Sequence, residues 1–224
     1  MRTRKATREL LGFTRAEFAL LRRLDTPAKI QSFLNGLRQN FEPDGDTCYS
    51  VRTVLKQRRA HCIEGATLAA CALWIHGEPP LLMDLQAVRD YDHVVAVFRR
   101  RGRWGAISKT NGLVLRWRDP VYRSLRELAM SYFHEYYNKR YEKTLRTYSR
   151  PFDLRGVDPA IWATSEHETW DLANALDATR HFRLITRAQA RSLVRRDPFE
   201  RRAGRELQYR PPKKANWRGR RKKR

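Results

Sequence analysis

Residues 58–77 read Arg-Arg-Ala-His-Cys-Ile-Glu-Gly-Ala-Thr-Leu-Ala-Ala-Cys-Ala-Leu-Trp-Ile-His-Gly. A basic, polar start gives way at Cys62 to an alanine-rich run in which Ile63, Ala66, Ala70, Leu73 and Trp74 recur at helical spacing. The pattern predicts a helix that begins at or beside Cys62. There the unpaired backbone N–H groups and the positive end of the helix dipole favour a thiolate, which is the form of cysteine that acts as a nucleophile. Gly77 permits a left-handed residue after the helix, and Pro79-Pro80 prevents its continuation. Two strand-like runs follow. Leu81, Met83 and Leu85 alternate with Leu82, Asp84 and Gln86, and His93, Val95 and Val97 alternate with Val94, Ala96 and Phe98. A turn at 99–103, containing Gly102, leads to a third strand at 104–108.

A cysteine on a helix start, a small-residue helix closed by Gly77-Glu-Pro-Pro, a strand, His93 heading a second strand and a hairpin to Trp104 form an order that resembles the transglutaminase-like cysteine enzymes. The resemblance spans residues 46–110, about a third of the chain. It implies an α+β fold with a papain-like Cys/His/Asp plan: a nucleophile helix packed on a small antiparallel sheet, flanked by N- and C-terminal helices. It also implies that Cys62 is the nucleophile, that His93 is its base, and that the segment before Cys62 lines a substrate cleft. The family's third residue is the Asp of a Trp-x-x-x-Asp pattern. Here Trp104-Gly-Ala-Ile is followed by Ser108. A hydroxyl there orients an imidazole without the charge that stabilises an imidazolium, so Ser108→Asp is expected to strengthen the site.

At 224 residues the chain builds one substantial core. Its net charge of +23 is uneven, because residues 195–224 carry 14 Lys or Arg against 3 Asp or Glu. Charge of this size attracts nucleic acid and other polyanions without specifying which, and no helix-turn-helix, RNA-recognition or zinc-finger pattern supports sequence-specific readout. Cys48, Cys62 and Cys71 form no disulfide framework. No Cys-x-x-Cys or His-x-x-x-His pair supports a zinc site built from a cysteine with His61 and His76, so neither metal nor cofactor is expected. No run approaches the ~20 apolar residues of a membrane span, and the N-terminus has no apolar signal core. The protein reads as cytoplasmic.

Along the chain, 1–45 is an N-terminal helical segment. Thr14 and Glu17 have capping-box spacing, and Pro27 opens a helix with an Ile30, Phe33, Leu34, Leu37 stripe. The transglutaminase-like core is 46–150, including a short helix at 51–57 and an amphipathic helix carrying Leu125, Leu128, Ala129, Tyr132, Phe133 and Tyr136. Residues 151–205 read as a C-terminal helical subdomain, with capping-box spacing at Ser165/Glu168 and Thr186/Gln189. Residues 206–224 read as a basic, disordered tail.

Catalysis at an amide or ester requires a thiolate, a base and oxyanion donors. Cys62 and His93 fit the first two, backbone N–H groups at the helix start fit the third, and Gln57 is a candidate side-chain donor. Asp90 is an alternative partner for His93, as is Thr110, which shares a strand face with Ser108. Glu64 and His61 read as structural, the first as a helix-start carboxylate, the second because its side chain should diverge from the neighbouring thiol. Three functions follow: a Cys62/His93 hydrolase or acyl transferase acting on an amide of a peptide, protein or conjugate; a non-catalytic relative that binds a peptide or protein; and a polyanion binder acting through the basic tail.

Overall fold

A computed structural model of the chain describes residues 3–43 and 45–212. The first helices are α1 (Arg8–Leu11), α2 (Arg15–Arg22) and α3 (Pro27–Gly36). The capping box that opens α2 is formed, with Glu17 N donating to Thr14 Oγ1 at 3.2 Å and Thr14 N donating to Glu17 Oε2 at 2.7 Å. Pro27 occupies the first turn of α3, where its missing N–H costs nothing, and Ile30 and Leu34 are buried. Strand β1 (Arg38–Gln39), helix α4 (Val51–Gln57) and strand β2 (Arg59–Ala60) lead into α5 (Cys62–Ile75). The β1–β2 pair is parallel and two residues long.

The sheet is antiparallel and built from β3 (Leu81–Ala87), β4 (His93–Arg100), β5 (Arg103–Ile107), β6 (Arg118–Tyr122), β7 (Leu145–Ser149), β8 (Phe152–Asp153) and β9 (His181–Arg183). Its order is β6-β5-β4-β3-β7-β9, and β8 pairs with Leu81 and Leu82 of β3 beyond the reach of β7. Both faces are covered. Leu82, Val94, Ala96, Phe98 and Ile107 pack in one core with α5 and the N-terminal helices. Met83, Leu85, Val95, Val97 and Ala106 pack on the other side with Leu128, Ala129, Tyr132, Phe133 and Tyr136, from α6 (Leu125–Ser131) and the turns after it. The period-two alternation of β3 and β4 therefore separates two cores rather than core from solvent.

Several expectations fail in the second half of the chain. The sheet has seven strands and is not small, because 151–205 is no separate helical subdomain: β8 and β9 belong to the sheet. Strands of two and three residues such as Phe-Asp and His-Phe-Arg carry no alternation to detect. Between them stand a 3-10 turn (Leu154–Gly156), α7 (Pro159–Trp162) and α8 (Trp170–Asp177), and α9 (Arg187–Arg191) and α10 (Pro198–Ala203) follow. The box expected at Ser165 does not form. Ser165 Oγ accepts from His167 N instead, Glu168 accepts from Cys48 N, and α8 begins at Trp170. The box at Thr186 does form. The helix expected through Tyr136 ends at Ser131, although its aromatic residues remain buried.

The disordered tail does not begin at 206. Leu207 bridges Gly112, Gln208 N and Tyr209 N donate to Asn111, and Gln208 Nε2 donates to the Asn35 carbonyl at 2.8 Å. The remainder of that expectation, at 213–224, lies outside the described residues. Truncation after Glu206 is therefore expected to lower stability by about 1–2 kcal/mol relative to truncation after Arg210, since it removes this docked segment. Equal melting temperatures for the two truncations would refute the docking.

Gly65 is required by a close approach. A Cβ there would lie 2.5 Å from Lys109 Cβ, an atom that cannot move aside as a chain end would. Although alanine is the better helix former by about 1 kcal/mol, we expect Gly65→Ala to destabilise the protein by about 1–3 kcal/mol through overpacking. Chemical denaturation measures the sign directly.

Candidate active site

Cys62 is the first residue of α5, and His61, in extended backbone (φ −103°, ψ −166°), is its N-cap. The β1–β2 pairing, with Gln39 opposite Ala60, fixes where the chain turns into the helix. The first N–H groups of α5 have no intrahelical acceptor, so the sulfur stands beside donors as well as beside the positive end of the dipole.

Three residues later Glu64 is buried with its carboxylate fully engaged. Its Oε1 accepts from Tyr49 N and Thr47 Oγ1, each at 3.0 Å, its Oε2 accepts from His61 N at 2.8 Å, and Asn40 Nδ2 approaches both oxygens at 3.2 Å. Burial works against its charge, but the His61 imidazole and these donors outweigh burial and hold it below the ordinary carboxylate value. His61 Nε2 lies 3.2 Å from Glu64 Oε1 and 2.9 Å from the Thr47 carbonyl. His61 Nδ1 lies 4.0 Å from Cys62 Sγ.

His93, at the head of β4, is buried. The β4–β5 register pairs Ala96 with Ile107, and continuing it sets Ser108 opposite Val95, which makes His93 the diagonal neighbour of Ser108 on one face. Ser108 Oγ stands 2.8 Å from His93 Nε2 and donates to the Leu115 carbonyl at 2.6 Å. A hydroxyl has one proton, and here Leu115 takes it. Toward His93 the Ser108 oxygen therefore accepts, Nε2 carries the hydrogen, and in the neutral ring the lone pair lies on Nδ1. Gln31 fixes the backbone of Ser108 from both sides, donating from Nε2 to its carbonyl at 2.8 Å and accepting its N–H at 2.9 Å.

Burial alone would raise the Cys62 thiol. The His61 and His93 side chains beside the sulfur overcome it and hold the thiol well below its ordinary range. The other cysteines behave oppositely. Burial pushes Cys48 up to about 11 despite the Thr169 hydroxyl at its sulfur, and burial raises Cys71 further.

The structure thus gathers Cys62, His93 and Ser108 in one place. It also corrects the reading of His61, which does not diverge from its neighbour. Divergence of adjacent side chains holds within a regular element, whereas at the junction of strand and helix an N-cap side chain folds back over the first turn. Gln57 is exposed and lines a groove with Ala16, Glu17, Leu20 and Lys56. Asp90 accepts from Thr144 Oγ1 and Tyr91 N, and Thr110 Oγ1 accepts from Gly112 N, so each has a local bonding role while Ser108 holds His93. His76 sits at the opposite end of α5 from His61, which separates the two histidines of the zinc alternative. Among the described residues, Asp84, Asp92 and Asp177 bring one oxygen each within 4.8 Å of one another, and Asp84 Oδ2 lies 3.1 Å from His181 Nε2. Burial pushes the Asp84 carboxyl up to about 6, against the pull of His181. Asp92 also closes the β3–β4 hairpin by accepting Ala87 N at 2.9 Å. No described helix is long and apolar enough to cross a membrane.

Compared with family models and with curated proteins, the chain matches none.

Iodoacetamide at about pH 7, well below the ordinary thiol value near 8.5, is expected to alkylate Cys62 and to spare Cys48 and Cys71. Peptide mapping reads the selectivity. Equal labelling of the three cysteines, or an unreactive Cys62, would contradict the electrostatics described here.

Proposed function

We propose that the protein is a transglutaminase-like cysteine hydrolase or acyl transferase that acts on amide bonds of a peptide, protein or conjugate through Cys62 and His93. The observation that carries this reading is a half-buried thiol at a helix start, held well below its ordinary range, beside a histidine whose tautomer is fixed by Ser108. Structural cysteines in alanine-rich helices have the opposite character, as Cys71 of the same helix does.

In this scheme the Cys62 thiolate attacks the carbonyl carbon, an S–C bond forms, and the carbonyl electron pair moves to oxygen. Backbone N–H groups at the start of α5 bind the oxyanion. On collapse the C–N bond breaks, and the nitrogen leaves with a proton supplied by the imidazoles at the sulfur. Water or an acceptor amine then attacks the thioester with His93 as base, giving hydrolysis or transfer. Ser108 is a positioning residue. It holds Nε2–H while the Leu115 carbonyl holds its own proton, so His93 keeps the correct tautomer without a charged partner.

The test is single-turnover release from an activated acyl ester. We expect Cys62→Ala to abolish it and Ser108→Ala to slow it roughly 10²-fold, at the low end of what positioned general bases contribute. Ser108→Asp is expected to give no gain, contrary to the expectation from sequence, because its carboxylate would face the Leu115 carbonyl across the 2.6 Å that a donor now spans. Ester release that survives Cys62→Ala would remove the enzyme reading and leave a cleft that only binds.

A further inference from the structure

Two imidazoles approach Cys62, and they are held differently. His93 rests on a neutral hydroxyl. His61 rests on a carboxylate, Glu64, that is buried and satisfied by donors from Asn40, Thr47 and Tyr49. The surroundings of His61 also determine its tautomer. Among the described residues, Nε2 meets only acceptors: the Thr47 carbonyl at 2.9 Å, Glu64 Oε1 at 3.2 Å and Glu42 Oε1 at 3.6 Å. It therefore carries a hydrogen in every protonation state, and in the neutral ring the lone pair lies on Nδ1, the atom 4.0 Å from Cys62 Sγ.

We propose that His61 is the imidazolium partner that keeps Cys62 in its thiolate form, held by the Glu64 carboxylate, which supplies the negative charge that Ser108 does not. The step is one proton transfer. The S–H bond breaks with its electron pair remaining on sulfur, Nδ1 of His61 takes the proton, and the new positive charge faces the Glu64 carboxylate. His93 then remains available for the later proton transfers of the acyl cycle. The inference rests on the reading of Cys62 as nucleophile, but the ion pair is observable without any substrate.

The charged and titratable groups around the pair come from several elements, including Tyr136, after α6, which interacts with Cys62, and Cys48, before α4, which interacts with His61. Glu64 lies on the same helix as Cys62, Glu42 comes from the segment before α4 with Asp46 acting on it, and His93 comes from β4. Burial opposes the charge on His61, while Glu64 and the thiol raise its affinity for the proton well above the ordinary value. The groups that favour the ion pair therefore outweigh desolvation on both partners.

The experiment titrates thiolate absorbance in the ultraviolet against pH, with Cys62→Ala as the blank that removes other cysteines from the signal. We expect a wild-type midpoint well below about 8.5, and a rise of at least about one unit in His61→Gln, which is roughly tenfold less thiolate at a fixed lower pH. Glu64→Gln should move the midpoint in the same direction, and His93→Gln should move it less than His61→Gln does. Because Glu64 also ties down the preceding segment, circular dichroism must accompany its variant. Histidine nitrogen NMR of the wild type supplies a reading that needs no variant: both His61 ring nitrogens are expected to be protonated at about pH 7.5, a unit above the ordinary histidine value. A wild-type midpoint unchanged in His61→Gln, or a neutral His61 at that pH, overturns the proposal. A low midpoint that depends on His61, with no ester turnover, leaves the ion pair standing and removes only the enzyme reading.

Discussion

The buried carboxylate of Glu64 is the constraint on which the rest of the site depends. A carboxylate taken out of water without partners costs several kcal/mol, so its position dictates where donors must go. Tyr49 N and Thr47 Oγ1 come from the segment before α4, Asn40 Nδ2 from the end of β1, and His61 N from the residue before α5. One side chain thus ties three stretches of chain to the start of α5. Because the amide it anchors belongs to His61, the geometry of the thiol is set by the same bonds. A buried negative charge is also a place where a histidine is readily held positive.

Much of the first half of the fold was legible in the sequence, for local reasons. The helices at 15–22, 27–36 and 51–57 announce themselves through Thr14, Thr26-Pro27 and the apolar stripe behind them. The runs at 81–87 and 93–100 alternate cleanly because each must divide its side chains between two cores. The strands at 152–153 and 181–183 were not legible, since short outer strands in this sheet need only pair their backbones, and Leu-Arg-Thr-Tyr-Ser at 145–149, though paired on both sides, carries no apolar alternation. Polar strands such as His-Phe-Arg satisfy that requirement without any pattern.

The site was legible in part for the same kind of reason. Cys62 is marked by the change in composition at a helix start, and His93 by its place at the head of an apolar strand. His61 was misread because adjacency was taken as divergence, when the junction of β2 and α5 turns its ring toward the sulfur. Gln31 gave no signal, since it lies beside the apolar stripe of α3 and its partner, the backbone of Ser108, is seventy-seven residues away. Gln57 attracted attention through proximity in sequence, yet α4 directs it to the surface.

Ser108 is best understood as part of a different electrostatic plan rather than as a lost carboxylate. An aspartate holding His93 would need donors for its second oxygen, but the group facing Ser108 is the Leu115 carbonyl, an acceptor that calls for a proton. The backbone on the other side is already committed to Gln31. A hydroxyl satisfies both neighbours, accepting from His93 and donating to Leu115, and a carboxylate satisfies only one. Near Cys62 the demands are reversed: Glu64 is surrounded by donors, and its charge is compensated by the adjacent imidazole. The negative charge that a Cys/His/Asp arrangement would put behind one histidine therefore stands behind the other. The two rings at the sulfur differ because the backbone facing Ser108, which holds one, offers an acceptor, and the backbone facing Glu64, which holds the other, offers donors.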